Sequence, residues 1–301
     1  MEHVRWLSEP TLDRPVMVCA FTGWNDAGDA ASTALRTLVE QWGTAALAEI
    51  DPEVFTDFAT VRPHVRLADE DGSLRRHIVW PTVGLWSASL SGGDVVLVLG
   101  PEPALRWRLF GEQLVGVAER LGVSMAISLG ALLADVPHSR PVQLIGTATD
   151  TDLMDRFELQ RSRYEGPTGI VGVLHDAFMN AGVPTASLWA AVPGYAAQVP
   201  SPKAALALVQ RACSMIGTPA PLSALTGGAA EYDARVAALI GDDDDIVEYV
   251  TRLESMVDEQ DDDRDMADGL VDPAAAPSEP VDPGSLVAEV ERFLRDRDPD
   301  R

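Results

Sequence analysis

The sequence predicts an α/β fold, a three-layer sandwich in which helices cover both faces of a mostly parallel mixed sheet, with a helical appendage toward the carboxyl terminus. Residues 15–21 (PVMVCAF) and 94–99 (DVVLVL) are continuous apolar runs, the pattern of strands buried on both faces. Around them, strand-like and helix-like segments alternate from about residue 15 to residue 217, the order of a layered α/β domain. The appendage rests on a change of pattern at Pro219. A chain of 301 residues with 46% hydrophobic content can bury one large core of this kind.

Taken in order, residues 15–21 form the first strand. Residues 27–42 form a helix, with Ala31, Ala34, Leu35, Leu38, Val39 and Trp42 at helical spacing and Gly43 as its stop. Residues 45–50 read as a second strand beside the first. Residues 61–67 and 75–80 alternate weakly around the turn signal 69–72 (DEDG), which predicts a hairpin inserted into the α/β order. Residues 94–99 are a central strand, ended by Gly100 and Pro101. A helix follows over 106–121, with Trp107, Phe110, Leu114, Val117 and Leu121 on one face. Strands are expected at 124–129 and 142–148, joined by a polar loop containing Asp135, His138, Ser139 and Arg140. Gly166 to Gly169 opens a helix to about Asn180, residues 186–192 form the last strand, and Ser201 caps a helix that starts at Pro202 and ends near Gly217. Two amphipathic helices follow at 222–240 and 243–259. Residues 261–284, rich in Asp, Pro and Ala, read as a linker before a final helix at 285–297. The expected organisation is a core over 1–218, an acidic helical appendage over 219–260, the linker over 261–284 and a terminal helix within 285–301.

The formal charge is -24, and -16 of it falls on residues 231–301. Such an acidic chain lacks the footprint for phosphate backbones or anionic lipids, so neither nucleic acid nor a membrane surface is an expected partner. No stretch reaches the roughly 18 apolar residues that span a bilayer. Glu2, Arg5 and Glu9 interrupt the amino terminus, which predicts no signal peptide and a cytoplasmic protein. Two cysteines, Cys19 and Cys213, exclude a disulfide framework and read as buried, inert thiols.

The chain is organised around the turn from Phe21 to Ala30. Gly23 permits a positive φ, and Asn25 or Asp26 can cap the first amides of the following helix. The carboxyl ends of strands are where α/β sheets bind ligands, yet Asp26 and Asp29 would repel a phosphate. Read from residue types alone, the turn is a cap first and a ligand site second.

Residues 21–32, FTGWNDAGDAAS, resemble the signature turn of the proteasome assembly chaperone family, that of the second eukaryotic assembly chaperone and its archaeal and actinobacterial relatives. VPHSRPV at 136–142, GPTGIVGV at 166–173, Pro193-Gly194-Tyr195 and Ser201-Pro202-Lys203-Ala204 match in order, so the resemblance spans residues 15–215. It implies a fold similar to the purine nucleoside phosphorylases, with the hairpin as a variable addition to the sheet. It also implies oligomers, with a trimer as the leading symmetry, and a protein partner, proteasome-related or the chain itself. Relatives that dock on proteasomes resemble one another in ending in a hydrophobic residue, tyrosine and any residue. This chain ends Asp298-Pro299-Asp300-Arg301, so the resemblance is not extended to docking.

Candidate chemistry is sparse. Residues 126–130 (AISLG) resemble a nucleophile elbow but carry Ala126 where the sharp turn needs glycine, so Ser128 reads as a strand residue. The five histidines show no metal-ligand spacing, and Asp150, Asp152 and Asp155 suit a helix cap better than a cation site. There is no GxGxxG and no GxxxxGK[ST], so no cofactor is expected. Two readings follow. The first is a non-catalytic protein-binding scaffold that uses the turn residues Gly23, Trp24, Asn25, Asp26 and Gly28. The second is a phosphorylase-like enzyme or a binder of a nucleoside or phosphate ester, with His138, Arg140 and Asp26 lining one pocket.

Overall fold

The computed structural model describes residues 2–70, 73–241 and 243–269. Among them the main sheet has eight strands: β1 (Val4–Trp6), β2 (Val16–Thr22), β3 (Ala45–Ile50), β6 (Val83–Leu90), β7 (Gly93–Pro101), β8 (Met125–Ala134), β9 (Leu144–Ala148) and β10 (Thr185–Pro193). Their spatial order is β1-β3-β6-β7-β2-β8-β10-β9. β7, β2, β8 and β10 are mutually parallel neighbours, and β3 runs in the same sense, while β1, β6 and β9 run against them.

Side chains on β2 show why its sequence is apolar throughout. Val18 and Ala20 join a core with Leu35 and Leu38 of α1 (Ala30–Gln41) and Leu208 and Val209 of α5 (Pro202–Ile216). Met17, Cys19 and Phe21 join the opposite core with Phe110 and Leu114 of α2 (Trp107–Leu121) and Leu174 and Phe178 of α4 (Ile170–Asn180). Both faces are covered, so alternation has no polar side to report. The three-layer α/β sandwich read from the sequence is the observed fold.

Three elements escaped the sequence reading. β1 is three residues long. β6 follows Pro81 and carries Gly84, Ser87 and Ser89, and it is held by its antiparallel partners β3 and β7. Its insertion also corrects the expectation that β3 lies beside β2, because β6 and β7 stand between them. The third is α3 (Thr151–Phe157), whose N-cap Asp150 accepts from the Leu153 amide at 3.0 Å. The expected hairpin, β4 (His64–Glu70) with β5 (Ser73–Val79), forms a two-stranded sheet of its own and adds no strand to the main sheet.

Helix α6 (Ser223–Ile240) packs on α5 through Leu225, and its Tyr232 and Val236 bury against Ala196. α7 (Asp244–Gly269) buries Val250 and Leu253. It is tied to the loop after β8: the Tyr249 hydroxyl donates to Asp135 at 2.5 Å, and Ser139 donates to Glu254. α7 runs on past Glu259, through the first part of the stretch read as a linker. Residues 270–284 and the helix expected at 285–297 lie outside the described residues. No helix among the described residues is long and apolar enough to cross a membrane.

Val236 is fully buried although it belongs to the appendage. Val236→Ala should therefore lower the stability of the whole chain by about 2 kcal/mol in one cooperative denaturation step. A separate early transition, with the main one unmoved, would show that the appendage unfolds on its own.

Candidate functional site

β2 ends at Thr22 on the carboxyl rim of the parallel strands. The chain reverses at Gly23 (φ 124°) and passes Asn25 and Asp26 into a single turn of 3-10 helix, Ala27–Asp29, where Gly28 has φ 58°. Asp26 then does the capping that the sequence predicts: its Oδ1 accepts from the Ala31 amide at 2.7 Å and the Ser32 amide at 3.1 Å. Asp29, formally at the N-cap of α1, makes no side-chain cap bond.

The turn is also bonded to three other elements. The Ala131 amide of β8 donates to the Asn25 carbonyl at 2.8 Å. Asn25 Nδ2 donates to Glu102 Oε1 at 2.7 Å, and the same carboxylate oxygen accepts from the Ile170 amide at 2.8 Å, at the start of α4. The Ser201 amide donates to the Gly28 carbonyl at 2.7 Å, while Ser201 Oγ accepts from the Ala204 amide and caps α5. Close approach explains one of the glycines nearby: a Cβ on Gly169 would lie 2.3 Å from Asn25 Oδ1. Glu102 is the residue that sequence reasoning missed, since between Pro101 and Pro103 it reads only as the end of a strand.

Burial divides the signature turn. Asn25 and Asp26 are 1% and 6% exposed, whereas Trp24 is 54% exposed. Burial pushes the Asp26 carboxyl above its ordinary value, against the lowering effect of the Ser32 and Ala31 hydrogen bonds. Its Oδ2 and Asn25 Oδ1 find no hydrogen-bond partner among the described residues.

The second candidate region is the loop after β8. The Tyr195 phenol oxygen accepts from the His138 amide at 2.8 Å and lies within hydrogen-bond reach of His138 Nδ1 at 2.9 Å. Burial lowers the His138 pKa, which favours the uncharged ring. Lys203 Nζ donates to the His138 carbonyl at 2.5 Å and to both Asp233 oxygens at 2.9 Å. His138 and Arg140 do line one cleft, with Ser201, Lys203 and Tyr232, but Asp26 is not part of its wall. The cavity there is about 10 Å³, the space of one water. Arg140 faces α7 instead, donating through Nε and Nη2 to the two Asp258 oxygens at 2.7 Å each, with Glu254 3.7 Å away. That pairing holds Asp258 below the usual carboxylate range. The one cation offered by the loop residues for a phosphate is thus already engaged by carboxylates.

The remaining candidates are placed without chemistry. Ser128 lies in the middle of β8, so no elbow forms at AISLG. Cys19 and Cys213 are buried, and burial pushes both thiols up to about 12. His175 is lowered by burial and lies 3.4 Å from Ser187 Oγ.

These features define an α/β protein whose rim offers an exposed aromatic on a locked turn, beside a cleft closed by its own helices. The PAC2 family model matches residues 20–240, and the chain belongs to that family. A PAC2 family protein from Streptomyces avermitilis is 46% identical, covering 78% of this chain and 99% of its own, with a TM-score of 0.71. A proteasome-assembly chaperone homologue from Mycobacterium tuberculosis is 41% identical over the same shares, with a TM-score of 0.69. An archaeal proteasome activator from Pyrococcus furiosus is 14% identical, covering 78% of this chain and 97% of its own, with a TM-score of 0.62, a likeness of fold alone. A search of curated proteins finds no match.

Two predictions concern the turn. Asp26→Ala removes the one oxygen that accepts from both amides and should cost about 1 kcal/mol in chemical denaturation. Asp26→Asn keeps an acceptor and removes the buried charge. Because the folded pKa of Asp26 is raised, its contribution to stability is fully present below the ordinary carboxylate value and is lost as pH rises through the raised one. Asp26→Asn should accordingly gain on the wild type as pH rises from 3 to 7, and parallel stability curves would contradict this. Separately, Gly169→Ala should destabilise by about 1–3 kcal/mol through the clash with Asn25, and an unchanged melting curve would mean that α4 can shift freely.

Proposed function

We propose that this PAC2 family chain is a protein-binding scaffold that acts without chemical turnover, as the resemblance to proteasome assembly chaperones implies. The observation that carries the reading is the division of the signature turn. Asn25 and Asp26 are buried and bonded to the fold, while Trp24 stands 54% exposed beside them. An exposed tryptophan on a rigid support is costly to present to water and well suited to anchor a partner, since buried Trp contacts dominate many interfaces. In this reading Gly23, Asn25, Asp26 and Gly28 position Trp24, and the partner is a protein, proteasome-related or a second copy of the chain. The α/β core over 1–218 supplies the binding rim, the acidic helices over 219–260 close the cleft beside it, and the chain works in the cytoplasm.

The enzyme reading needs an open chamber and a free cation. The 10 Å³ cavity at His138 and the pairing of Arg140 with Asp258 favour the scaffold over that alternative. Trp24→Ala should leave the denaturation midpoint within about 0.5 kcal/mol of the wild type and reduce recovery of partners in affinity purification from native cytoplasm at least ten-fold. Undiminished recovery would remove Trp24 as the anchor. A nucleoside or phosphate ester that raises the melting temperature of the full chain would turn the assignment toward the enzyme.

A further inference from the structure

Helix α7 meets the rest of the chain along one narrow stripe. Among residues 244–259 only Ile246, Tyr249, Val250, Leu253, Glu254 and Val257 are buried or half-buried, at the spacing of a single helical face, and the other positions stand exposed. The helix starts afresh after Gly241, since Asp243 accepts from the Ile246 amide at 3.2 Å and caps it. An amphipathic helix laid by such a stripe on a receiving surface is a common form of recognition between two proteins. Here the helix and the surface belong to one chain.

The surface that receives α7 selects by chemistry. The Tyr249 ring stands edge-on to Tyr195 with centroids 6.2 Å apart, and its hydroxyl donates to Asp135. Ser139 donates to Glu254, and Arg140 meets Asp258 through two bonds of 2.7 Å, so the loop reads two carboxylates one helical turn apart beside the apolar pair Val250 and Leu253. These polar bonds lie at the solvent, since Asp135 and Ser139 are exposed and the Asp258 side chain is 54% exposed. Helix α6 buries Leu225, Tyr232, Val236 and Ile240, whereas α7 fully buries Val250 and Leu253 alone among residues 244–259. An element held by few buried side chains and by exposed ion pairs opens ahead of the core. Position adds to this. The Lys203 bond to the His138 carbonyl and the Ser201 bond to the Gly28 carbonyl connect the loop under α7 to the turn that presents Trp24.

We infer that the surface formed by Asp135, Ser139, Arg140 and Tyr195 is a docking site for an acidic amphipathic helix of a partner protein, and that α7 is its resident competitor. The partner helix carries apolar residues at the spacing of Ile246, Val250, Leu253 and Val257 and two carboxylates at the spacing of Glu254 and Asp258. It displaces α7 because it gains Trp24 as a second contact. The inference rests on the scaffold reading and adds the chemistry of the partner, and the two fail separately, since Trp24→Ala leaves the loop intact and the loop variants leave Trp24 in place.

The test uses the full chain and, as probe, a fluorescent peptide of residues 244–259 read by anisotropy. Two release variants free the site from its own helix: Leu253→Asp breaks the apolar stripe, and Asp258→Arg, at an exposed position that folding does not depend on, sets a cation against Arg140. Each should bind the peptide about ten-fold more tightly than the wild type, because α7 no longer occupies the site. In the Leu253→Asp chain, Arg140→Glu should weaken the peptide about ten-fold, and a peptide with Glu254→Lys and Asp258→Arg should recover the loss. A second peptide of unrelated sequence that keeps only the apolar spacing and the two carboxylates should bind within about three-fold of the first. In the unliganded wild type, the amides of α7 should exchange hydrogen about ten-fold faster than those of α6. Equal binding by the wild type and both release variants, indifference to Arg140→Glu, failure of the unrelated peptide, or α7 amides protected as well as those of α6 would each overturn the proposal. An assembly mass in light scattering that Asp258→Arg halves would give the site to a second copy of the chain and overturn it as well.

Discussion

One oxygen of Glu102 holds the rim of this sheet together. It accepts from the side-chain amide of Asn25 and from the backbone amide of Ile170, so it ties the turn after β2 to the start of a helix that lies 68 residues beyond Glu102 itself. A hydrogen bond to a charged group contributes about 1.5–3 kcal/mol, roughly twice a neutral one, and a carboxylate at a helix amino terminus gains further from the aligned peptide dipoles. The arrangement also sets conditions on its neighbours. Gly169 must lack a side chain, Asn25 must be turned inward by Gly23, and Asp26 must then take over the first amides of α1. A turn with this many internal duties has little left for a ligand except the residue it turns outward, Trp24.

The acidic helices show the same economy of charge. A segment with so many carboxylates is repelled by an acidic core unless cations are placed to receive it. Two are: Lys203 for Asp233 on α6, and Arg140 for Asp258 and Glu254 on α7. The Arg140 pairs are exposed and screened by salt, so they orient α7 more than they stabilise it. The burial of Val250 and Leu253 supplies the apolar part of the same contact.

Much of this was legible in the amino-acid order. The buried strands at residues 16–22 and 94–99, the helices over α1, α2, α4 and α5, the capping by Asp26 and Ser201, and the family all follow from local pattern and short motifs, because backbone geometry and capping act within a few residues. Other features depend on partners distant in sequence. β6 exists through its ladders with β3 and β7, while Gly84, Ser87 and Ser89 interrupt its apolar residues and blur the strand pattern. Glu102 acquires its role only when β7 delivers it to Asn25 and Ile170. Arg140, read as a cation for a phosphate, is claimed by a helix 118 residues later. The hairpin was visible as two strands, but that it stands apart from the main sheet with Leu67 and Leu74 exposed is a matter of tertiary placement, since the sequence records which residues are apolar and only the packing decides which of them stay exposed.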